Sequence, residues 1–404
     1  MKYVVILGDG MADYRQPFLQ NKTPLMLAKK PCIDRLASLG EVGLCRTVPC
    51  GMKPGSDVAN LSVLGYDPNE CYTGRSPLEA ASIGIELKDT DVTARANLVT
   101  LSDEQNFADK TMIDYSAGEI STKEAKELIE FLAKHLNDDV YKLYAGISYR
   151  HCLVVDKGVV AGDFTPPHDI TGKPIKEYLP SSEQGKKLLK LMEKSCELLK
   201  DHPVNKKRIA EGKNPATSLW FWGEGTKPAL QNFKQRFGVD GGMISAVDLL
   251  KGIGKLAGMR VIEVEGATGN YDTNFDGKAA ACLDALDSGL DFVYIHMEAP
   301  DECGHHGDTQ NKIYSIEQID QKVVKVVVEG LRKRGEDFAL LICPDHPTPV
   351  SIMTHCADPV PYIIYRDGVN LSNGATSYDE EQAEKTGAVI DCGVSLMKKF
   401  LQKD

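Results

Sequence analysis

Short, predominantly apolar runs recur along the chain at residues 3–7, 218–222, 260–264, 292–297, 338–343 and 360–365. Runs of this length without alternation read as strands buried on both faces, the signature of a parallel sheet. Between them, apolar residues fall at helical spacing. Thr23-Pro24 opens a helix, with threonine as cap and proline at the first helical position; Ile33, Leu36 and Ala37 form its buried stripe, and Gly40 ends it. Ser121 with Glu124, and Ser181 with Gln184, read as capping boxes ahead of two amphipathic helices. A long helix is predicted from about residue 312 to 333 on Ile316, Ile319, Val323, Val324, Val327 and Leu331. A C-terminal helix is predicted on Val389, Ile390, Val394, Leu396 and Phe400. Strands alternating with helices predict an α/β fold built on a doubly wound, mostly parallel sheet.

The middle of the chain departs from this rhythm. Residues 92–101 alternate like a half-exposed strand, and residues 143–155 and 158–164 read as further strands, followed by the turn-rich Thr165-Pro166-Pro167-His168-Asp169. The pattern predicts a smaller α+β domain at 89–189, inserted into a core formed by 1–88 and 190–404.

Composition narrows the function. Of 404 residues, 42% are apolar, and 58 acidic against 47 basic side chains leave a net charge of −11. This acidic balance argues against a nucleic-acid partner. No apolar run approaches the roughly 18 residues of a membrane span, and MKYVVILGDG lacks the small-residue cleavage site of a secretory signal. The eleven cysteines contain no CxxC pair. A disulfide framework or cysteine-rich zinc site is not expected, and a cytoplasmic setting is.

Candidate chemistry gathers at strand ends, where open parallel sheets bind ligands. The first strand ends in Gly8-Asp9-Gly10. The strand at 292–297 runs into Asp301 and His305. The strand at 338–343 leads to Asp345-His346, and His355 follows. Singly, each residue is an ordinary turn former or surface group. Jointly they are an Asp/His set without thiolates, suited to Mn, Zn or Mg. Two such metals about 3.5–4 Å apart form a phosphoryl-transfer device. In Lys53-Pro54-Gly55-Ser56-Asp57, the serine precedes an apolar stretch and would begin a helix, where backbone N–H groups favour an anion. Serine is a weak nucleophile unless a base or metal activates it. No GxxxxGK[ST] loop is present; Gly252-Ile253-Gly254-Lys255 is too short.

With Gly8-Asp9-Gly10-Met11, Pro54-Gly55-Ser56-Asp57, Leu64-Gly65-Tyr66-Asp67-Pro68, Tyr72-Thr73-Gly74-Arg75, Ala94-Arg95-Ala96-Asn97, Glu298-Ala299-Pro300-Asp301, Gly304-His305, Asp345-His346 and His355, the chain resembles the archaeal-type cofactor-independent phosphoglycerate mutases of the alkaline phosphatase superfamily. The resemblance spans essentially the whole length. It implies an alkaline-phosphatase-like core with an inserted cap. It also implies interconversion of 3- and 2-phosphoglycerate through a phosphoserine at Ser56, without 2,3-bisphosphoglycerate. Asp9, Ser56, Asp345 and His346 would hold one divalent metal, and Asp301, His305 and His355 the other. Mn²⁺ is the expected ion, with Zn²⁺, Mg²⁺ or Co²⁺ as substitutes. Arg75 and Arg95, then Arg150 and Lys278, would grip the anionic hydroxy acid.

Two departures from the family pattern leave alternatives open. Asn60 stands where many members have a histidine, and Glu119 where many have a basic residue. Loss of a substrate cation would fit a bacterial branch proposed as homoserine kinases, with Glu119 facing the homoserine ammonium. A metal-dependent phosphatase or phosphodiesterase is the further enzymatic alternative, and a metal-binding scaffold the non-enzymatic one.

Overall fold

The first apolar run forms the strand Lys2–Gly8, which lies inside an eight-stranded sheet in this computed structural model, described over residues 1–402. The chain divides into two compact units, Met1–Tyr72 with Ala229–Asp404, and Thr73–Pro228.

In the first unit, Lys2–Gly8 pairs in parallel with Phe292–Met297 on one side and Phe338–Cys343 on the other. Gly241–Ile244 and Arg260–Ile262 extend the sheet in parallel beyond Phe292–Met297. The sheet is thus mostly parallel, as the unbroken apolar runs predict. Two pairings differ. Val360–Arg366 runs antiparallel to both Phe338–Cys343 and Glu41–Cys45. An antiparallel strand buried on both faces is as apolar as a parallel one, so direction is not written in the run. The strands Glu41–Cys45 and Gly241–Ile244 escape the apolar pattern because both are short and glycine-containing.

Helices cover the sheet. The segment after Thr23 is two helices, Pro24–Leu27 and Pro31–Leu39, because Pro31 cannot continue the first. The long predicted helix is present but not uniform: Thr309–Gln318 and Lys325–Arg334 flank a π turn at Ile319–Val324. Within that turn, Asp320 accepts from the backbone N–H of Ile33 at 2.7 Å and of Cys32 at 3.4 Å. Its carboxylate therefore closes the exposed N–H groups of the Pro31–Leu39 helix. The last helix is Gly393–Leu401, and Val389–Ile390 is instead a short edge strand.

The second unit is wider on both sides than the expected 89–189. Its centre is Val92–Leu101, buried at all ten positions rather than half-exposed. This strand pairs antiparallel with Arg150–Val155 on one side and Ser218–Thr226 on the other. The run at 218–222, expected in the parallel core, thus belongs to this sheet. Ser76–Ser82 also belongs to this unit, which moves its start to Thr73. Residues 158–164 form no strand; Gly158 and Gly162 lie in an irregular connection. Ser121 caps Thr122–Leu136 as expected, its Oγ accepting from Glu124 N. The next cap is Ser182, one residue beyond the expected Ser181.

Among the described residues no helix is long and apolar enough to cross a membrane. All eleven cysteines are free.

Candidate phosphoryl-transfer site

Three neighbouring parallel strands end together. Leu7 lies opposite both His296 and Cys343, so the chain leaves the sheet at one edge with Asp9, with Asp301 and with Asp345-His346. Beyond Phe292–Met297 the short helix Ala299–His305 sets Asp301 and His305 one turn apart on one face. Gly55 precedes the helix Ser56–Val63, which presents Ser56 at its first position.

All seven expected ligands converge within the first unit. His346 Nε2 lies 3.2 Å from Ser56 Oγ, 3.3 Å from Asp345 Oδ2 and 3.6 Å from Asp9 Oδ1. His305 Nε2 is 3.3 Å from Asp301 Oδ2 and 2.8 Å from His355 Nε2, and His355 Nε2 is 3.5 Å from Asp301 Oδ1. Two groups of three offer ligand atoms within 4.8 Å of one another: Asp9, Asp345 and His346, and Asp301, His346 and His355. His346 belongs to both groups, whereas the resemblance assigned it to one. Arg75, Arg95 and Arg150 lie in the second unit. Lys278 is in the first unit, but its fully buried ammonium donates to the His296 carbonyl at 3.0 Å. It serves the backbone at the end of a strand.

Electrostatics match a cation site. Burial raises the Asp9 carboxyl well above its ordinary value, and repulsion from Asp345 and Asp301 adds to this. Burial acts the same way on Asp301, but bonds from His305 and His355 overcome it and hold Asp301 well below the usual range. The Asp301 bond in turn raises His305 to about 9. Burial lowers His346, with Asp345 opposing. Asp9 Oδ1 is buried without a hydrogen-bond partner, and two imidazole nitrogens face each other at His305 and His355. An orphaned carboxylate oxygen beside converging imidazoles is what a divalent metal would satisfy. The residues present fit such ions.

Several residues that build this site carry no distinctive sequence signal. Asn60 Nδ2 donates to Asp345 Oδ2 and to Ser56 O, both at 2.8 Å, and Asn60 Oδ1 accepts from the Tyr294 hydroxyl at 2.6 Å. It is a fully buried clamp on the Asp345 carboxylate and on the Ser56 backbone. Thr348 Oγ1 donates a short bond to Asp301 Oδ1. Gly10 has φ +60°, and a Cβ there would stand 2.6 Å from both Asp301 Oδ1 and Thr348 Oγ1; only glycine lets the loops meet.

The second unit has its own cavity of about 300 Å³, lined by Arg95, Asn97, Tyr115, Tyr149, His168 and Trp222. The Arg95 guanidinium stacks 4.0 Å over Trp222. Trp222 Nε1 donates to Asn97 Oδ1 at 3.0 Å. Glu79 pairs with both Arg95 at 2.9 Å and Arg75 at 3.0 Å, so this group keeps an excess positive charge. Burial lowers Arg95; Glu79 opposes, while Arg75 and Arg150 add to the lowering. Arg150 is exposed, its guanidinium 5.3 Å over Tyr149. Glu119, the carboxylate considered for an ammonium, is exposed and does not line the cavity. His168 lines it, and Trp222 packs edge-on against that imidazole.

Comparison with known proteins agrees with the geometry. The family model for 2,3-bisphosphoglycerate-independent phosphoglycerate mutase matches residues 37–205. The protein of that name from Methanosarcina barkeri is 49% identical over 386 residues, covering 95% of each chain. The one from Methanothrix thermoacetophila is 48% identical over 401 residues, covering 99% of this chain and 100% of its own. Among solved structures, the PH0037 protein from Pyrococcus horikoshii is 29% identical with a TM-score of 0.83, covering 100% of this chain and 98% of its own. The cofactor-independent phosphoglycerate mutase from Thermoplasma acidophilum is 27% identical with a TM-score of 0.67, covering 100% and 99%. The homoserine kinase alternative finds no support in these relatives. The fold is shared over the whole chain with that Thermoplasma mutase, in agreement with the α/β fold read from the sequence. On the strength of the full-length relatives, the chain belongs to the 2,3-bisphosphoglycerate-independent phosphoglycerate mutase family.

Proposed function

We propose that the protein interconverts 3-phosphoglycerate and 2-phosphoglycerate through a phosphoserine at Ser56, with divalent metal ions and without 2,3-bisphosphoglycerate. The observation that carries this reading is the placement of Ser56 Oγ beside His346, within the converging Asp/His set, in a chain about half identical to proteins of that name over its full length.

Ser56 Oγ gives up its proton and attacks the phosphorus of the substrate, the bond from phosphorus to the glycerate oxygen breaks, and that oxygen takes a proton. The other glycerate hydroxyl then gives up its proton and attacks the same phosphorus, and Ser56 leaves and takes a proton back. Asp9, Asp345 and His346 would hold one metal, with Asp301, His305 and His355 at the other. Mn²⁺ suits this mixed carboxylate and imidazole set. When bound, the ions lower the pKa of the serine hydroxyl and neutralise phosphoryl charge. The rest is work for the chain itself. Asn60 fixes the Ser56 carbonyl and Asp345. The start of the Ser56–Val63 helix offers N–H groups to the phosphoryl oxygens. In the second unit, the Arg95 guanidinium beside Arg75 is suited to a glycerate carboxylate. Neither Arg150 nor Lys278 has a comparable placement.

The test is incubation of the Mn²⁺-loaded protein with 3-phosphoglycerate alone, read by formation of 2-phosphoglycerate, and the same with Ser56→Ala. Product from the parent and none from the variant is expected. Turnover surviving in the variant would refute Ser56 as nucleophile, and steady phosphate release without isomer would favour the phosphatase reading.

A further inference from the structure

His296 is the penultimate residue of the strand Phe292–Met297 and is fully buried. Its Nε2 lies 2.8 Å from Asp9 Oδ2, and its Nδ1 lies 3.1 Å from Ser245 Oγ. Ser245 follows the neighbouring parallel strand Gly241–Ile244 and accepts from the backbone N–H of Val247 at 3.0 Å. No other acceptor for the Ser245 hydroxyl occurs among the described residues, so that hydroxyl donates to His296 Nδ1. An imidazole whose Nδ1 accepts must carry its proton on Nε2. That proton then points at Asp9 Oδ2. The His296 carbonyl is separately held by the buried Lys278 ammonium at 3.0 Å, which pins the backbone of the same residue. One Asp9 oxygen is thereby used up inside the protein, while the other, Oδ1, has no partner and faces His346.

We infer that Ser245 and His296 form a positioning relay that dictates which oxygen of Asp9 receives a metal ion. This rests on the reading of Asp9 as a metal ligand. The relay gives the carboxylate one orientation before any ion arrives. Without the Nε2 donor, Asp9 can rotate, and neither of its oxygens is held facing His346. Hydrogen-bond partners of ligating groups typically contribute 10–100-fold to metal affinity. His296 acts only through Asp9 and is not placed to touch substrate.

The experiment is Mn²⁺ titration of the purified full-length protein by calorimetry, with no substrate present. His296→Leu should weaken Mn²⁺ binding roughly 10–100-fold. His296→Gln, whose side-chain amide can donate from a similar point, should recover most of the loss; a core role based on shape alone predicts no such rescue. Ser245→Ala removes almost no volume and should cause a smaller loss in the same direction, so the relay stays testable if His296→Leu does not fold. Unchanged Mn²⁺ affinity in Ser245→Ala and His296→Leu overturns the inference, as does failure of His296→Gln to bind better than His296→Leu. Asp9→Ala separates the two readings: if it binds Mn²⁺ like the parent, the ligand assignment itself falls, whereas loss in Asp9→Ala with none in the relay variants removes only the relay.

Discussion

Replacing Lys312 by methionine removes one cation from a place with no water. Lys312 and Asp13 form an ion pair at 2.8 Å with both side chains fully buried. The same ammonium donates to the Thr348 carbonyl at 2.8 Å and the Ala12 carbonyl at 3.3 Å. It thus ties the loop after Asp9 to the loop after His346, from the helix that follows His305. Asp13 also accepts from Tyr14 N at 2.8 Å and from Val350 N and Gln16 Nε2, both at 3.1 Å, so three neutral donors survive the change. The carboxylate nonetheless loses its only charged partner among the described residues. Breaking one side of a buried pair typically costs about 3–5 kcal/mol. At roughly 2–4 °C per kcal/mol for a unit of this size, the melting midpoint should fall on the order of 10 °C. Thermal unfolding followed by circular dichroism reads this directly. Lys312→Met combined with Asp13→Asn should recover part of the loss, because the stranded charge is gone. A single variant melting within about 2 °C of the parent would refute the reasoning, since it would mean that water or a rearranged backbone already serves Asp13.

Three further outcomes are expected. In the metal-free protein His305 is raised to about 9 by Asp301, so a metal must displace a proton; Mn²⁺ affinity should rise with pH up to about 9, checked by calorimetry in buffers of different ionisation heat, and an affinity flat from pH 6 to 8 would contradict it. Burial raises the Glu380 carboxyl to about 7 from an ordinary 4.5, so the folded state holds the proton more tightly than the unfolded. Its contribution is fully present below about 4.5 and is lost as pH rises through about 7, and Glu380→Gln should flatten this part of the pH–stability curve. Gly10→Ala places a Cβ 2.7 Å from the Asp301 Cα with φ at +60°, so it should lower both stability, by about 1–3 kcal/mol, and Mn²⁺ affinity; a variant binding Mn²⁺ like the parent would show that the two loops can part freely.

The sequence was most legible where the physics is local. Strands at residues 3–7, 292–297 and 338–343 announce themselves because both faces are buried, and the ligands stand at their ends. Ser56 is readable because glycine and a following apolar stretch make a helix start. Pairing partners are not local, which is why nothing in the run at 218–222 tells its sheet and nothing in 360–365 tells its direction. The supports of the site are equally silent. Asn60 looks like a polar residue in a helix, and His296 like a core histidine on a strand; what each holds depends on residues more than 230 positions away for Asn60 and 280 for His296. Lys278 shows the converse, since a lysine can grip an anion and the fold spends this one on a carbonyl.

The pairing of Lys2–Gly8 with Phe292–Met297 and Phe338–Cys343 also fixes when the site can exist. The first strand to leave the ribosome is among the last to find its neighbours. At about 5–20 residues per second, synthesis of the roughly 330 intervening residues takes on the order of 15–60 s. During that interval Asp9 has no Asp301, Asp345 or His346 beside it, while the segment Thr73–Pro228 is already complete as a contiguous piece. The Asp/His cluster is therefore assembled only at the end of synthesis, and the open edges of the unfinished sheet are what a chaperone would meet first.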